Sequence, residues 1–144
     1  MHQIVKATVG AIISRYDNGI EQILLTRRAV QPFAGLFCLP GGHIDRFETA
    51  WDAVIREVKE ETGLDFTPRF FDYADEIIPA ENWHAVVLVF AGTATGVLQP
   101  QPGEVSEARW VAVTDALSCP LAFRHGDILA RYAAVTAGRC GGCR

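Results

Sequence analysis

A mixed sheet flanked by helices, either an α+β arrangement or an α/β/α sandwich, is the fold class this chain predicts. Three observations carry that reading. Several short runs are rich in β-branched and aromatic residues and are bounded by turn residues. One mid-chain stretch repeats apolar residues every four positions, and a second helix-like stretch closes the chain. With 144 residues, nearly half of them apolar, the chain is long enough to bury a core as a single domain over 1–137, with 138–144 expected as a flexible tail.

The elements follow in order. Ile4 to Ser14, dense in Val, Ile, Thr and Ala, predicts a strand; Asp17-Asn18-Gly19 is a turn signal, and Glu21 to Arg28 returns as a second strand. Residues 31–35 read as a loop, Leu36 to Leu39 as a short apolar piece, and Pro40-Gly41-Gly42 as a turn. Glu48 to Thr62 predicts a helix, since Ala50, Val54 and Val58 form one apolar stripe, and Gly63 is placed to cap its end. Phe66 to Ile78 and His84 to Thr93 read as a long antiparallel pair joined by residues 79–82. Val97 to Gly103 is a loop, Ala108 to Val113 a strand, and Thr114 to Leu117 a short turn. Ala122 to Ala137 predicts the last helix, with Ile128, Leu129, Tyr132 and Val135 on its apolar face. No internal repeat, linker or low-complexity stretch interrupts the series.

Composition narrows the function. A net charge of −4 argues against a general binder of nucleic-acid polymers or membrane surfaces. No apolar run approaches the length of a membrane span, and the first residues carry no signal-peptide pattern, so the expected compartment is the cytoplasm. Cys38, between Phe37 and Leu39, reads as a small core residue. Cys140 and Cys143 form a C-x-x-C near the chain end, where reduced thiols in a mobile tail are expected.

Residues 42–64 hold the chemistry. Gly42 is followed at fixed spacings by Glu48, then Arg56-Glu57-Val58, Glu60-Glu61 and Gly63-Leu64. On a helix, Glu57, Glu60 and Glu61 fall within an arc of roughly 100° beside the apolar stripe. Like charges three and four residues apart repel, and near a helix C-terminus the dipole disfavours them further. A helix that accepts both penalties is expected to collect a cation there. Three carboxylates make an all-oxygen site suited to Mg2+ or Mn2+.

This complete G-x5-E-x7-R-E-U-x-E-E-x-G-U pattern, with U bulky and apolar, resembles that of the Nudix (MutT-like) hydrolases. Val9-Gly10, residues 25–29, Leu39-Pro40-Gly41-Gly42, Trp110-Val111 and Asp115-Ala116-Leu117 are similar to that family's flanking segments. The resemblance implies an α/β/α sandwich with a mixed central sheet. It also implies hydrolysis of a nucleoside diphosphate linked to another group, using a divalent metal and water. Carried onto this chain, it makes Glu57 and Glu61 the principal metal ligands. Glu60 would ligate or hold a metal-bound water, and the Gly41 carbonyl would complete the shell. Arg56 and Glu48 would form the ion pair that orients Glu57, and Arg28 would contact substrate phosphate. A base outside the pattern falls to Glu104 or Glu107, with Glu104 favoured.

For substrate, Glu81-Asn82-Trp83-His84-Ala85-Val86 resembles a segment of the family's nucleoside triphosphate pyrophosphatases. The leading expectation is therefore a (deoxy)nucleoside triphosphate cleaved to monophosphate and pyrophosphate. ADP-ribose or a nucleotide sugar is the alternative, and a nucleotide-binding module without turnover is the third reading. Phe33, Phe37 and Trp83 are candidates for stacking on a base, with core or loop packing the commoner role for each, and His84 is a candidate for a substrate contact or a satisfied polar residue opening a strand. The expected partner is a small-molecule nucleotide, with no nucleic-acid polymer and no membrane; a homodimer is left open.

Overall fold

The computed structural model describes residues 4–142. Strand β1 (Lys6–Asp17) is the spine, because its two halves serve different neighbours. Its first half runs parallel to β6 (Trp83–Thr95), from Lys6 beside Ala85 to Ile13 beside Gly92, and its end is antiparallel to β2 (Ile20–Arg28). Strand β3 (Phe37–Cys38) and β7 (Val105–Ala112) both pair with β2. Strand β4 (Gly41–His43) pairs with β1 at Thr8 to Gly10, and β5 (Asp65–Ile78) pairs with β6. Parallel and antiparallel pairs thus coexist in one sheet, the mixed arrangement expected.

Side-chain alternation along the strands feeds two cores. Val9, Ala11 and Ile13 of β1, with Leu24 of β2 and Phe90 of β6, pack on Ala53, Val54 and Val58 of helix α1 (Ala50–Thr62). The opposite face sends Ile12, Ile23, Leu25, Val87, Val89 and Ala91 onto the other layer. There they meet Ala116 of the short α2 (Val113–Ala116) and Ile128, Leu129 and Tyr132 of α3 (His125–Gly142). A period of two on the strands puts successive residues into different cores, and that builds the three layers.

Several boundaries differ from the sequence reading, each for a local reason. The expected turn at Pro40-Gly41-Gly42 is instead the start of β4. Glycine is needed there for close approach: a Cβ on Gly42 would stand 2.6 Å from the Glu57 carboxyl carbon, and one on Gly41 would run into the Val9 carbonyl. Helix α1 starts after Glu48, not at it. Thr49 is the cap, its Oγ1 accepting from Asp52 N–H at 3.0 Å, while Glu48 turns its carboxylate to Arg56. Gly63 ends the helix as expected, at φ 77° with its N–H on the Lys59 carbonyl. Strand β7 opens at Val105, so Glu107 is a strand residue. Helix α3 begins at His125 rather than Ala122 and runs to Gly142, so residues 138–142 of the expected tail continue the helix. Val135, placed on its apolar face, is exposed. Cys143 and Arg144 lie outside the described residues, which takes the C-x-x-C with them. No helix among the described residues is long and apolar enough to cross a membrane.

Leu24 is fully buried against α1, so Leu24→Ala should cost about 2–5 kcal/mol in urea denaturation. Thr49→Ala, which removes only the cap bond, should cost about 1 kcal/mol. The reverse order would mean that this core is not what holds α1 to the sheet.

Candidate active site

The site is built from one turn of α1 laid against β4. Glu57 and Glu61, four residues apart, are both buried at 8% exposure, whereas the Glu60 side chain is 59% exposed. Gly41 N–H donates to Glu61 Oε2 at 3.1 Å, and the bare Cα of Gly42 leaves room for the Glu57 carboxylate. Burial pushes the Glu57 carboxyl up to about 7, with the Glu60 and Glu104 charges adding to the rise and Arg56 opposing it. Burial likewise raises Glu61 well above the usual carboxylate range, and the Glu57 and Glu104 charges raise it further.

Arg56 is the counterweight. Its Nε and Nη2 fork onto Glu48 at 2.7 and 2.9 Å, Nη1 reaches Glu57 at 3.0 Å and Glu60 at 3.1 Å, and Nη2 also donates to the His43 carbonyl. The fork holds the Glu48 carboxyl down to about 2, so that ion pair persists at any working pH. With its planar fork fixed at one end, the guanidinium can hold Glu57 in one orientation.

Among the described residues, no three His, Cys, Asp or Glu side chains gather as a ready ligand group. Glu57 and Glu60 instead both face Arg56 Nη1. The donor chemistry still fits a hard divalent cation: Glu57 and Glu61 are buried, the Glu57 charge raises the cost of ionising Glu61, and their donor atoms are all oxygen. Glu60, exposed and held by one Arg56 bond, is free to turn without disturbing the core.

One cleft of about 560 Å³ collects most of the residues singled out from the sequence: Arg28, Gly41, Arg56, Glu57, Glu60, Glu61 and Glu104. Glu48 stands behind Arg56, outside the cleft walls. A bulge between Arg27 and Arg28 shifts the β2–β7 register, leaving Arg27 exposed and Arg28 half-buried in the cleft wall. Arg28 Nε donates to the Pro32 carbonyl at 2.7 Å, and its guanidinium lies 4.8 Å from the Phe123 ring centre. Of the two candidates outside the pattern, Glu104 lines the cleft, while Glu107, on β7, pairs with Arg109 of the same strand and Arg27 of β2.

Two expected substrate contacts, His84 and Phe33, need correction. His84 is exposed and absent from the cleft walls, because β6 alternation turns Trp83 inward and its neighbour outward. Phe33 does not line the cleft either; it packs edge-on against Phe123 at 5.0 Å and braces it. Phe37 lies outside it too, beneath the Arg27 and Arg109 guanidinium groups. Trp83 does form part of the wall, with Lys6 Nζ 4.3 Å from its ring centre and Phe123 at 4.8 Å. Cys38 is buried as expected, its thiol pushed up to about 11 by burial.

The sequence reading missed the far wall: Lys6, Glu76, Phe123 and His125. Glu76, 2% exposed, accepts from Trp83 Nε1 and Arg124 N–H, both at 3.2 Å. Strand periodicity carried a signal, since Glu76 stands two residues from the buried Ala74 on the inward face of β5. Phe123 and His125 carried none; Phe123 sits at φ 55° in a turn that only the folded chain defines.

A model of the NUDIX domain matches residues 5–132. Over 131 residues the chain is 31% identical to the ADPR responsive transcriptional repressor NtrR of Acinetobacter baylyi, covering 85% of this chain and 50% of the repressor. It is 56% identical over 56 residues to the ADP-ribose pyrophosphatase of Methanocaldococcus jannaschii, covering 39% of this chain and 31% of that protein. The chain thus spans half or less of the length of these curated relatives. The NUDIX domain of Shewanella oneidensis NrtR, solved as a complex with ADP ribose, superposes with a TM-score of 0.84 at 25% identity, over 94% of this chain and 90% of that one. A MutT NUDIX hydrolase from Burkholderia pseudomallei gives 0.76 at 28% identity, over 89% and 98%.

The raised Glu57 carboxyl sets a pH dependence. Between the ordinary 4.5 and about 7 the folded chain holds a proton that the unfolded chain has lost, so stability falls as pH rises through this window. Glu57→Gln removes the ionisation. Without metal, the variant should gain stability over the parent between pH 5 and pH 8, on the order of 1–3 kcal/mol. Melting temperatures in a chelator at the two pH values check this; a difference that stays flat or shrinks overturns the assignment.

Proposed function

We propose that this chain, which belongs to the Nudix family, is a metal-dependent hydrolase that splits the phosphoanhydride of a nucleoside diphosphate joined to a second group. The observation that carries the reading is the convergence of Arg28 and Glu104 with the buried Glu57 and Glu61 on one cleft. Nudix hydrolases generally use divalent cations, and here Mg2+ or Mn2+ would be held by Glu57 and Glu61 with the Gly41 carbonyl and, once released from Arg56, Glu60. Bound there, the cation would neutralise phosphate oxygens and lower the pKa of water.

The chain's own residues supply the remainder. Arg56, fixed by Glu48, keeps Glu57 in place. Arg28 presents a cationic fork to the phosphates, offsetting the acidity of the cleft. Glu104 takes the proton of the attacking water. That water forms one new P–O bond as the bridging P–O bond breaks, and the bridging oxygen leaves on the second phosphate. Little covalent work falls to the protein, so positioning and charge carry the rate.

ADP-ribose is the substrate we place first. The ADP-ribose pyrophosphatase and the ADP ribose-bound domain among the relatives support it over the triphosphate expected from the Trp83 segment. The triphosphate remains the second reading, supported by the likeness to a MutT hydrolase. The repressor relative raises a third, recognition without turnover. Intact Glu48, Arg56, Glu57, Glu60 and Glu61 favour catalysis.

With Mg2+, ADP-ribose should yield AMP and ribose 5-phosphate, resolved by chromatography. Glu61→Gln should lower kcat/KM by about 10- to 100-fold or more. Binding of ADP-ribose with no product from it or from any triphosphate would replace the hydrolase with a nucleotide sensor. Arg28→Ala should lower kcat/KM by about 10- to 100-fold, the worth of a charge-assisted bond of about 1.5–3 kcal/mol, through KM more than kcat. An unchanged value would remove Arg28 from the phosphate site.

A further inference from the structure

We infer that His125 is a positioning residue, an imidazole that accepts a backbone hydrogen bond to fix residues 39–41 and, through them, the Glu61 carboxylate. Leu39 N–H donates to His125 Nδ1 at 3.0 Å, and both residues are buried. Leu39 lies between β3, which ends at Cys38, and β4, which begins at Gly41. The imidazole therefore supplies at this gap the acceptor that strand pairing would supply elsewhere. The next two residues are held as well: the Pro40 carbonyl accepts from Ala11 N–H at 2.8 Å, and Gly41 N–H donates to Glu61 Oε2 at 3.1 Å. Three consecutive residues are thus tied to α3, β1 and α1 in turn.

The tautomer follows from the bond. A lone pair on Nδ1 places the ring proton on Nε2, which stands 3.5 Å from Glu76 Oε2. Glu76 is itself fixed by Trp83 Nε1 and Arg124 N–H, so the acceptor opposite Nε2 does not wander. Burial pushes His125 down to about 3, in keeping with a neutral ring. Core filling alone does not account for the arrangement: an apolar side chain of this size would pack, but would leave the buried Leu39 N–H without a partner.

The consequence for metal binding rests on Glu61 as a ligand, the reading proposed above; the clamp on Leu39 does not. The test compares His125→Phe, His125→Asn and His125→Gln in the full chain by two readouts, amide exchange at Leu39 and calorimetric titration with Mn2+ alone. The Asn oxygen reaches the place of Nδ1, while the Gln amide reaches that of Nε2. The Asn variant should keep Leu39 protected and Mn2+ affinity within about threefold. The Phe and Gln variants should speed Leu39 exchange about tenfold or more and weaken Mn2+ by about tenfold. If the Phe variant does not fold, the contrast between Asn and Gln decides. Equal behaviour of Asn and Gln, or unchanged Leu39 exchange in a folded Phe variant, overturns the inference. Failure of the parent chain to bind Mn2+ would overturn the metal reading instead, and Leu39 exchange would still decide the clamp.

Discussion

The Arg56 guanidinium is the interaction on which the site depends, because its bonds to Glu48, Glu57 and Glu60 offset the charge of an anionic helix turn inside the fold. Its bidentate bond to Glu48 joins the segment before α1 to the helix, and its remaining donors reach Glu57, Glu60 and the His43 carbonyl. Such a fork is rigid in a way a lysine is not. It anchors the Glu57 carboxylate without neutralising Glu61, whose cost of ionisation stays high. The cleft floor therefore keeps two buried carboxyl groups whose ionisation is costly, and a cation bound there, as proposed above, would relieve that cost.

The sheet supplies the other half of the arrangement. Strand β1 is long enough to serve β6, β4 and β2 along its length, which brings Gly41 and Gly42 of β4 directly beneath α1. Only glycine permits that approach, since the Glu57 carboxylate occupies the space a side chain would take. On the opposite side, the bulge in β2 shifts the pairing at Arg28, and the loop before β7 delivers Glu104 to the same cleft. Charges far apart in the chain are thereby set around one volume.

The far wall has a different character. Trp83, Phe123 and the bracing Phe33 form an aromatic run, with Lys6 above Trp83 and the buried Glu76 and His125 behind it. In the proposed function, a cation on the acidic floor would take the phosphates and the aromatic wall would take a flat ring.

What the sequence determined by itself was what depends on local spacing. The α1 stripe, the Gly63 cap, the two long strands after the helix and the acidic turn all follow from periodicities of 3.6 and 2, which need no partner to be read. The pattern from Gly42 to Leu64 is legible for the same reason: its residues lie on one helix and its lead-in. What only the tertiary structure decided was pairing across distance. Whether Pro40-Gly41-Gly42 is a turn or a strand depends on β1 lying beside it. Whether Glu104 or Glu107 faces the cleft depends on where β7 begins, and whether His84 or Trp83 turns inward depends on the pleat of β6. Glu76 and His125, some fifty residues apart in sequence, meet because β5 and the start of α3 pack at one end of the sheet. No propensity or spacing encodes such a meeting; it is the product of burying two faces of one sheet at once.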